Sequence, residues 1–204
     1  MPGKNIVKEY GPNEFYHIYS RGVAKQPVFL DDKDYRSFLS LLKRYLSKKP
    51  AEQSGHGLYP HYYKRLKLLA YCLMSNHIHL LVYQKDERAM TEFMRSLMTS
   101  YGMYFNTRYK RVGPVFQSRY RASRISDDDY LDHISRYIHL NPWDWEEYPY
   151  SSLRYYLGQA DAEWVRPAKI LELFPSQQQY LEFVRDYEGH KEMLDEIHWE
   201  LADQ

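Results

Sequence analysis

Two apolar runs, LKLLAYCLM (66–74) and HIHLLVY (77–83), are separated only by Ser75 and Asn76. So short a connection reads as an antiparallel hairpin of two strands, the second facing both ways. Side chains alternate along a strand, so His77 and His79 share one face while Ile78 and Leu80 take the other. The rest of the chain is read around this hairpin. FYHIYSR (15–21) alternates as a strand and ends at Gly22. Asp31, Asp32 and Asp34 open a helix whose apolar positions are Phe38, Leu39, Leu41, Leu42, Tyr45 and Leu46, and Pro50 stops it. Residues 51–63 read as a loop. A second helix is expected from about Arg88 to Tyr109, with Met90, Phe93, Met94, Leu97, Met98, Tyr101, Tyr104 and Phe105 inward. Gly113 and Pro114 break the chain, and residues 115–125 read as a strand. Ser126 and Asp127–Asp129 read as the cap and first turn of a helix running to about Asn141, before Pro142.

The order β-α-β-β-α-β-α predicts an α+β fold. Its first six elements match a ferredoxin-like core, one antiparallel sheet with helices on one face. We expect residues 1–145 to form the working domain, with the last helix of that domain over about 127–141. Residues 146–204 are expected to be an acidic, mostly helical C-terminal extension.

The charge is divided in the same way. The whole chain carries 28 Lys and Arg against 27 Asp and Glu, a net of +1. Residues 1–125 hold 22 of those basic side chains and 9 of the acidic ones; residues 126–204 hold 6 and 18. A basic surface followed by an acidic module is therefore expected. The single cysteine, Cys72, excludes a disulfide framework and a multi-cysteine zinc site, and its apolar run places it in the core. No run is long enough to span a membrane and the N-terminus has no apolar signal core, so a cytoplasmic protein is expected.

Three groups of residues can carry chemistry. His77 and His79 can hold one divalent metal, although a lone His-x-His is weak evidence and is more often two polar residues on a solvated sheet face. Tyr137 and Asn141 are four apart and share a helical face, offering a phenolic nucleophile and a hard oxygen ligand. His133, one turn earlier, can also reach that site and is a candidate acceptor for the tyrosine's proton. The plainer reading is that Tyr137 packs and Asn141 ends the helix. Residues 104–124 carry Arg108, Lys110, Arg111, Arg119, Arg121 and Arg124 without one acid, interleaved with aromatics. That pattern suits a phosphate backbone and stacked bases better than a plain solvated face. Gln117 and Arg119, two apart on the expected strand, share a face. Arg21, Lys64, Arg65 and Lys67 are further cationic candidates. The 22 tyrosines suit base stacking too, though most are expected to be structural.

Taken together, YHIYSRG, the M-x-NHIHLLV strand, RVGPVFQSRYRAS, the DYL…RYIHLNP helix and YPYSSLRYYLG follow one another between about residues 14 and 158. They resemble the REP-associated tyrosine transposases of the HUH single-strand DNA transposase group, with a looser echo in WVRPAKILELF. The resemblance implies that Tyr137 is the nucleophile, that His77, His79 and Asn141 are ligands of Mg²⁺ or Mn²⁺, and that Ile78 is the hydrophobic residue between the histidines. It implies single-stranded or hairpin DNA as the partner, a repetitive extragenic palindrome with an unpaired flank, and a 5′-phosphotyrosine intermediate. The stem is expected along residues 108–124. A nucleoid-associated monomer is favoured over a dimer. One alternative is a catalytically silent protein of the same fold that only binds hairpin nucleic acid. An unrelated His-x-His metallohydrolase would need more ligands than Asp86 and Glu87, the only carboxylates just beyond the strand.

Overall fold

The computed structural model describes residues 10–53, 57–125 and 130–187. They form β1 (Glu14–Arg21), α1 (Asp32–Leu46), a two-stranded ribbon of β2 (Glu52–Gln53) and β3 (Gly57–Leu58), β4 (Leu66–Met74), β5 (His77–Gln84), α2 (Ala89–Tyr109), β6 (Arg121–Ile125), α3 (Leu131–His139), α4 (Leu153–Tyr156), α5 (Ala168–Leu171) and α6 (Gln177–Arg185). The main sheet runs β4-β5-β1-β6 with every neighbour antiparallel, the strand order of a ferredoxin-like core. The hairpin turn is Ser75–Asn76, as its length requires. α1 begins where Asp31 accepts the backbone N–H of Asp34 and carries Lys43 and Arg44 in its last turn, so charge and capping agree with its dipole.

Strand alternation decides where each side chain goes. Tyr16, Ile18, Ile78, Leu80 and Val82 point to one face and pack with Phe38, Leu42, Phe93, Leu97 and Tyr101 of α1 and α2. Leu81 points to the other face and packs with Leu69, Cys72, Ile125, Ile134, Ile138, Tyr156 and Tyr180. The sheet is therefore a middle layer: α1 and α2 lie on one face, and α3 covers the other. His17, Tyr19, His77 and His79 share Leu81's face, so they lie on the side of α3.

The segment after Trp145 is built into this second core. Its backbone lines the outer edge of β4: Leu73 N–H donates to Tyr150 O (3.0 Å), Ser152 N–H to Tyr71 O (2.9 Å) and Arg166 N–H to Leu68 O (2.8 Å). An edge strand that would otherwise present unpaired groups is thereby covered. Tyr150 also stacks on Tyr35 of α1 at 3.7 Å and 3°. Tyr16, Tyr45, Tyr71, Tyr101, Tyr156 and Tyr180 are among the largest fully buried side chains, in line with a mostly structural role for the tyrosines.

Some expected elements change. The strand expected over 115–125 is interrupted. Gly22 bridges Phe116, but Tyr19 pairs with Arg121, so three steps along β1 span five along the other chain. Residues 117–120 bulge between these pairings, and Tyr120 turns back into the core, where its hydroxyl meets Thr91 Oγ1 at 3.1 Å. Gln117 and Arg119 therefore do not share a strand face. The loop at 51–63 contains the small ribbon. The helical stretches expected near 167–174 and 176–203 are α5 and α6 as far as residue 187. Ser126, Asp127–Asp129 and residues 188–204 lie outside the described residues. No helix among the described residues is long and apolar enough to cross a membrane.

Candidate active site

His77 and His79 enter the site from β5, and their rings stand 5.0 Å apart at 87°. The His77 ring is oriented by its neighbour. Asn76 Nδ2 donates to Lys25 O (3.2 Å), which turns Asn76 Oδ1 towards His77 Nδ1 at 2.6 Å. A carboxamide oxygen only accepts, so Nδ1 carries the proton and Nε2 of the neutral ring presents a lone pair. That Nε2 faces Asn141 Oδ1 at 3.3 Å. Asn141 is fixed too, because its Nδ2 donates to Tyr137 O at 3.2 Å. Two acceptors thus point at each other, an arrangement that a shared cation or a second proton on His77 relieves. Among the described residues no three His, Cys, Asp or Glu side chains gather as a metal site. The donor set that suits a divalent ion is therefore two imidazoles and an amide, and oxygen ligands from a substrate or water would have to complete its shell.

α3 delivers Tyr137. The helix starts beside the end of β6, and its inward positions Leu131, Ile134 and Ile138 are buried on the sheet. Tyr137 is itself buried, its ring edge-on to His79 (5.4 Å, 87°) and to His17 (5.7 Å, 82°). Asn141 lies just past the helix, whose C-cap is Leu140, and reaches back to the tyrosine's own carbonyl. Spacing had already brought Tyr137 and Asn141 to one face; packing brings them to the histidines.

His133 does not fit the role of proton acceptor. Arg136 donates to its Nδ1 at 2.7 Å, so in the neutral ring Nδ1 is occupied as an acceptor and Nε2 carries hydrogen. Its ring lies against Tyr130 and Phe183, towards α6. The imidazole packed on Tyr137 besides His79 is His17 of β1, which sequence reading passed over. Tyr19 was missed as well; its ring lies 5.6 Å from His77 and 5.1 Å from His79. Burial pushes its phenol up, against the opposing pull of Arg21 and Arg121. The available signal was the alternation in FYHIYSR, which puts both residues on one face. Only strand pairing says that this face is also that of His77 and His79.

The tyrosine helix is anchored by a directional chain of hydrogen bonds. Tyr71 N–H donates to Ser152 Oγ (2.8 Å), which contacts His139 Nε2 (2.8 Å). His139 Nδ1 contacts Tyr180 Oη (2.8 Å), Tyr180 contacts Ser135 Oγ (2.9 Å), and Ser135 donates to Asp132 O (2.7 Å). With Ser135 donating to the Asp132 carbonyl, Tyr180 donates to Ser135 and His139 Nδ1 donates to Tyr180. Burial lowers His139 to about 3, so the ring is neutral and its Nε2 accepts from Ser152, whose hydroxyl has Tyr71 O at 3.2 Å as its other acceptor. The unfolded chain binds a proton near pH 6.5 that the folded chain refuses. This stability is therefore complete above pH 6.5 and is lost as pH falls towards 3. Between pH 7 and pH 5 the loss should be about 2 kcal/mol. Urea midpoints at the two pH values should show it, and His139→Gln should flatten the difference.

The cationic candidates separate into two groups. Arg108 binds Asp34 Oδ1 at 2.6 Å and Asp31 at 2.5 Å, joining α2 to α1 around the buried Asp34 carboxylate, which also takes the Tyr104 and Tyr109 hydroxyls. Arg65 pairs with Asp86 and Glu92, and Arg124 with Glu14 at 2.6 Å. The acid-free window of 104–124 was thus misleading for Arg108 and Arg124, because their carboxylates come from α1 and β1. Lys110, Arg111, Gln117, Arg119 and Arg121 are exposed on the stretch from the end of α2 to the start of β6. Trp143, two residues past Asn141, is 91% exposed.

Residues 61–141 match the family model described as IS200-like transposase, a span that runs from the approach to β4 through Asn141. A solved REP-associated tyrosine transposase bound to a REP hairpin superposes with a TM-score of 0.55 at 13% identity, covering 80% of this chain and 92% of that one. A crystal structure described as a candidate transposase from Deinococcus radiodurans R1 matches with a TM-score of 0.40 at 16% identity, covering 68% of this chain and 95% of that one. No curated protein matches the sequence. Residues 61–141 are thus similar to the IS200-like transposases, and the fold of the chain is that of the solved REP-associated tyrosine transposase.

Proposed function

We propose that this protein is a transposase that cuts and rejoins single-stranded DNA beside a hairpin through a covalent 5′-phosphotyrosine at Tyr137. The observation that carries this reading is the packing of Tyr137 on His79 while His77 Nε2 and Asn141 Oδ1 face each other at 3.3 Å. A divalent ion, Mg²⁺ or Mn²⁺, held by His77, His79 and Asn141 supplies positive charge for a scissile phosphate when bound. Tyr137 Oη forms the new bond to phosphorus, and the bond from phosphorus to the 3′-oxygen breaks. The phenolic proton departs and the 3′-oxygen takes one up, leaving a free 3′-hydroxyl. One phosphoester replaces another, so the step is reversible and a second 3′-hydroxyl can complete strand transfer. A phenol with an ordinary value near 10 is mostly protonated at neutral pH, so cationic surroundings help it to ionise.

Hairpin DNA as the partner rests on the neighbour solved with a REP hairpin and on the exposed cations. Lys110, Arg111, Gln117, Arg119 and Arg121 are positioned to follow a phosphate backbone, and the Trp143 indole offers a platform for an unpaired base near Asn141. Neutralising about four phosphates predicts that affinity falls about 100-fold between 50 and 200 mM salt. Fluorescence anisotropy with a labelled hairpin would measure this, and a flat response would sink the basic-groove assignment. The test of the whole reading is an SDS-resistant adduct with hairpin DNA carrying a single-stranded flank, in Mn²⁺ or Mg²⁺. Binding without adduct, across a broad set of hairpins, is the behaviour of a silent binding protein.

A further inference from the structure

The two site histidines are each held at Nδ1, but by different elements. Asn76, in the hairpin turn, holds His77. His79 is held by His17, whose Nε2 lies 2.9 Å from His79 Nδ1. His17 is 3% exposed and sits diagonally across the β1–β5 ladder, opposite Leu81 while Tyr19 is opposite His79. The two imidazole planes agree within 8°, and their centroids are 5.2 Å apart. Rings stacked face to face cannot bring two nitrogens to 2.9 Å at that separation. The rings therefore lie end to end in one plane, the best alignment for a hydrogen bond between imidazoles.

We propose that His17 is a positioning residue for the metal-binding histidine. Its Nε2 accepts Nδ1–H of His79 and so holds His79 in the tautomer whose Nε2 presents a lone pair to the site. The inference rests on the metal reading above. The chemistry follows from proton placement. A neutral imidazole has one donor and one acceptor nitrogen, so whichever group engages Nδ1 decides what Nε2 can do. If His17 donates instead, His79 Nε2 carries hydrogen and cannot ligate. The same ring of His17 is packed edge-on to Tyr137, so one side chain of β1 sets both the orientation of a ligand and the wall against which the nucleophile rests. Outer partners of ligating histidines typically change metal affinity 10- to 100-fold when removed.

The experiment uses the full chain without DNA and Mn²⁺ as the probe. Electron paramagnetic resonance titration should give a 10- to 100-fold weaker Mn²⁺ affinity for His17→Phe, which keeps a buried ring but cannot accept a hydrogen bond. His17→Gln, whose amide oxygen can accept, should recover part of that loss. Hairpin affinity should change little in either, which a general loss of structure would not permit. Unaltered Mn²⁺ affinity in folded His17→Phe, or no recovery in His17→Gln, overturns the inference and leaves the metal reading standing. No Mn²⁺ binding by the wild-type chain overturns the metal reading and this inference with it. A measurement on wild type needs no variant to fold: long-range ¹⁵N–¹H spectra of Mg²⁺-loaded protein should show His79 protonated at Nδ1. Protonation at Nε2 overturns the proposal.

Discussion

Tyr137→Phe should abolish the covalent protein–DNA adduct and leave the fold and the hairpin affinity almost unchanged. The side chain is buried, and its ring packs edge-on to His17 and His79. Phenylalanine keeps those ring contacts and removes a single oxygen. The stability change should stay near about 1 kcal/mol, the usual value of one hydrogen bond. The catalytic change is of another order. Without Oη no phosphotyrosine can form, and loss of a nucleophile in comparable covalent mechanisms costs about 10⁴-fold or more. Denaturing gels with labelled hairpin read the adduct, and anisotropy reads the binding. An adduct persisting in this variant would move the nucleophile elsewhere, to Tyr19 in the first instance, since that phenol also lies against both site histidines.

His77→Ala should separate cutting from binding. His77 contributes one of the two acceptors that face each other in the site, and it is half-buried on the sheet face. Its removal takes one imidazole from the donor set. Charge stabilisation of this kind is worth several kcal/mol, so cleavage should fall about 10³-fold or more. Hairpin affinity should stay within about 3-fold, because affinity comes from phosphate contacts. Asn141→Ala should behave in the same direction. Its side chain also bonds the Tyr137 carbonyl, so its variant is expected to lose somewhat more helix stability. Equal losses of binding and cleavage in His77→Ala would contradict this division of labour.

Much of this architecture was legible in local pattern. A two-residue connection between apolar runs forces a hairpin, and the acid-capped start of α1 and the period of α2 identify helices without tertiary help. Residues 115–125 read as one strand because their composition suits a strand throughout. The chain there slips by two residues against β1, and local preference contains no signal of register between distant segments. Arg108 shows the same limit for charge. Its window has no acid, yet it sits between Asp31 and Asp34 from a helix more than seventy residues earlier.

The sequence by itself determined the ferredoxin-like order of elements, that His77 and His79 share a strand face and that Tyr137 and Asn141 share a helical face; the family resemblance alone joined the four as one expected site. Each of those relations spans only two or four residues, where backbone geometry alone dictates direction. Only the tertiary structure decided that α3 lies across the opposite face of the sheet from α1 and α2. It also decided that the segment after Trp145 anchors α3 through His139 and Tyr180, and that His17 meets His79. These contacts join residues 41 and 62 positions apart, and such pairings are chosen by how the two cores fill and by which buried polar groups find partners.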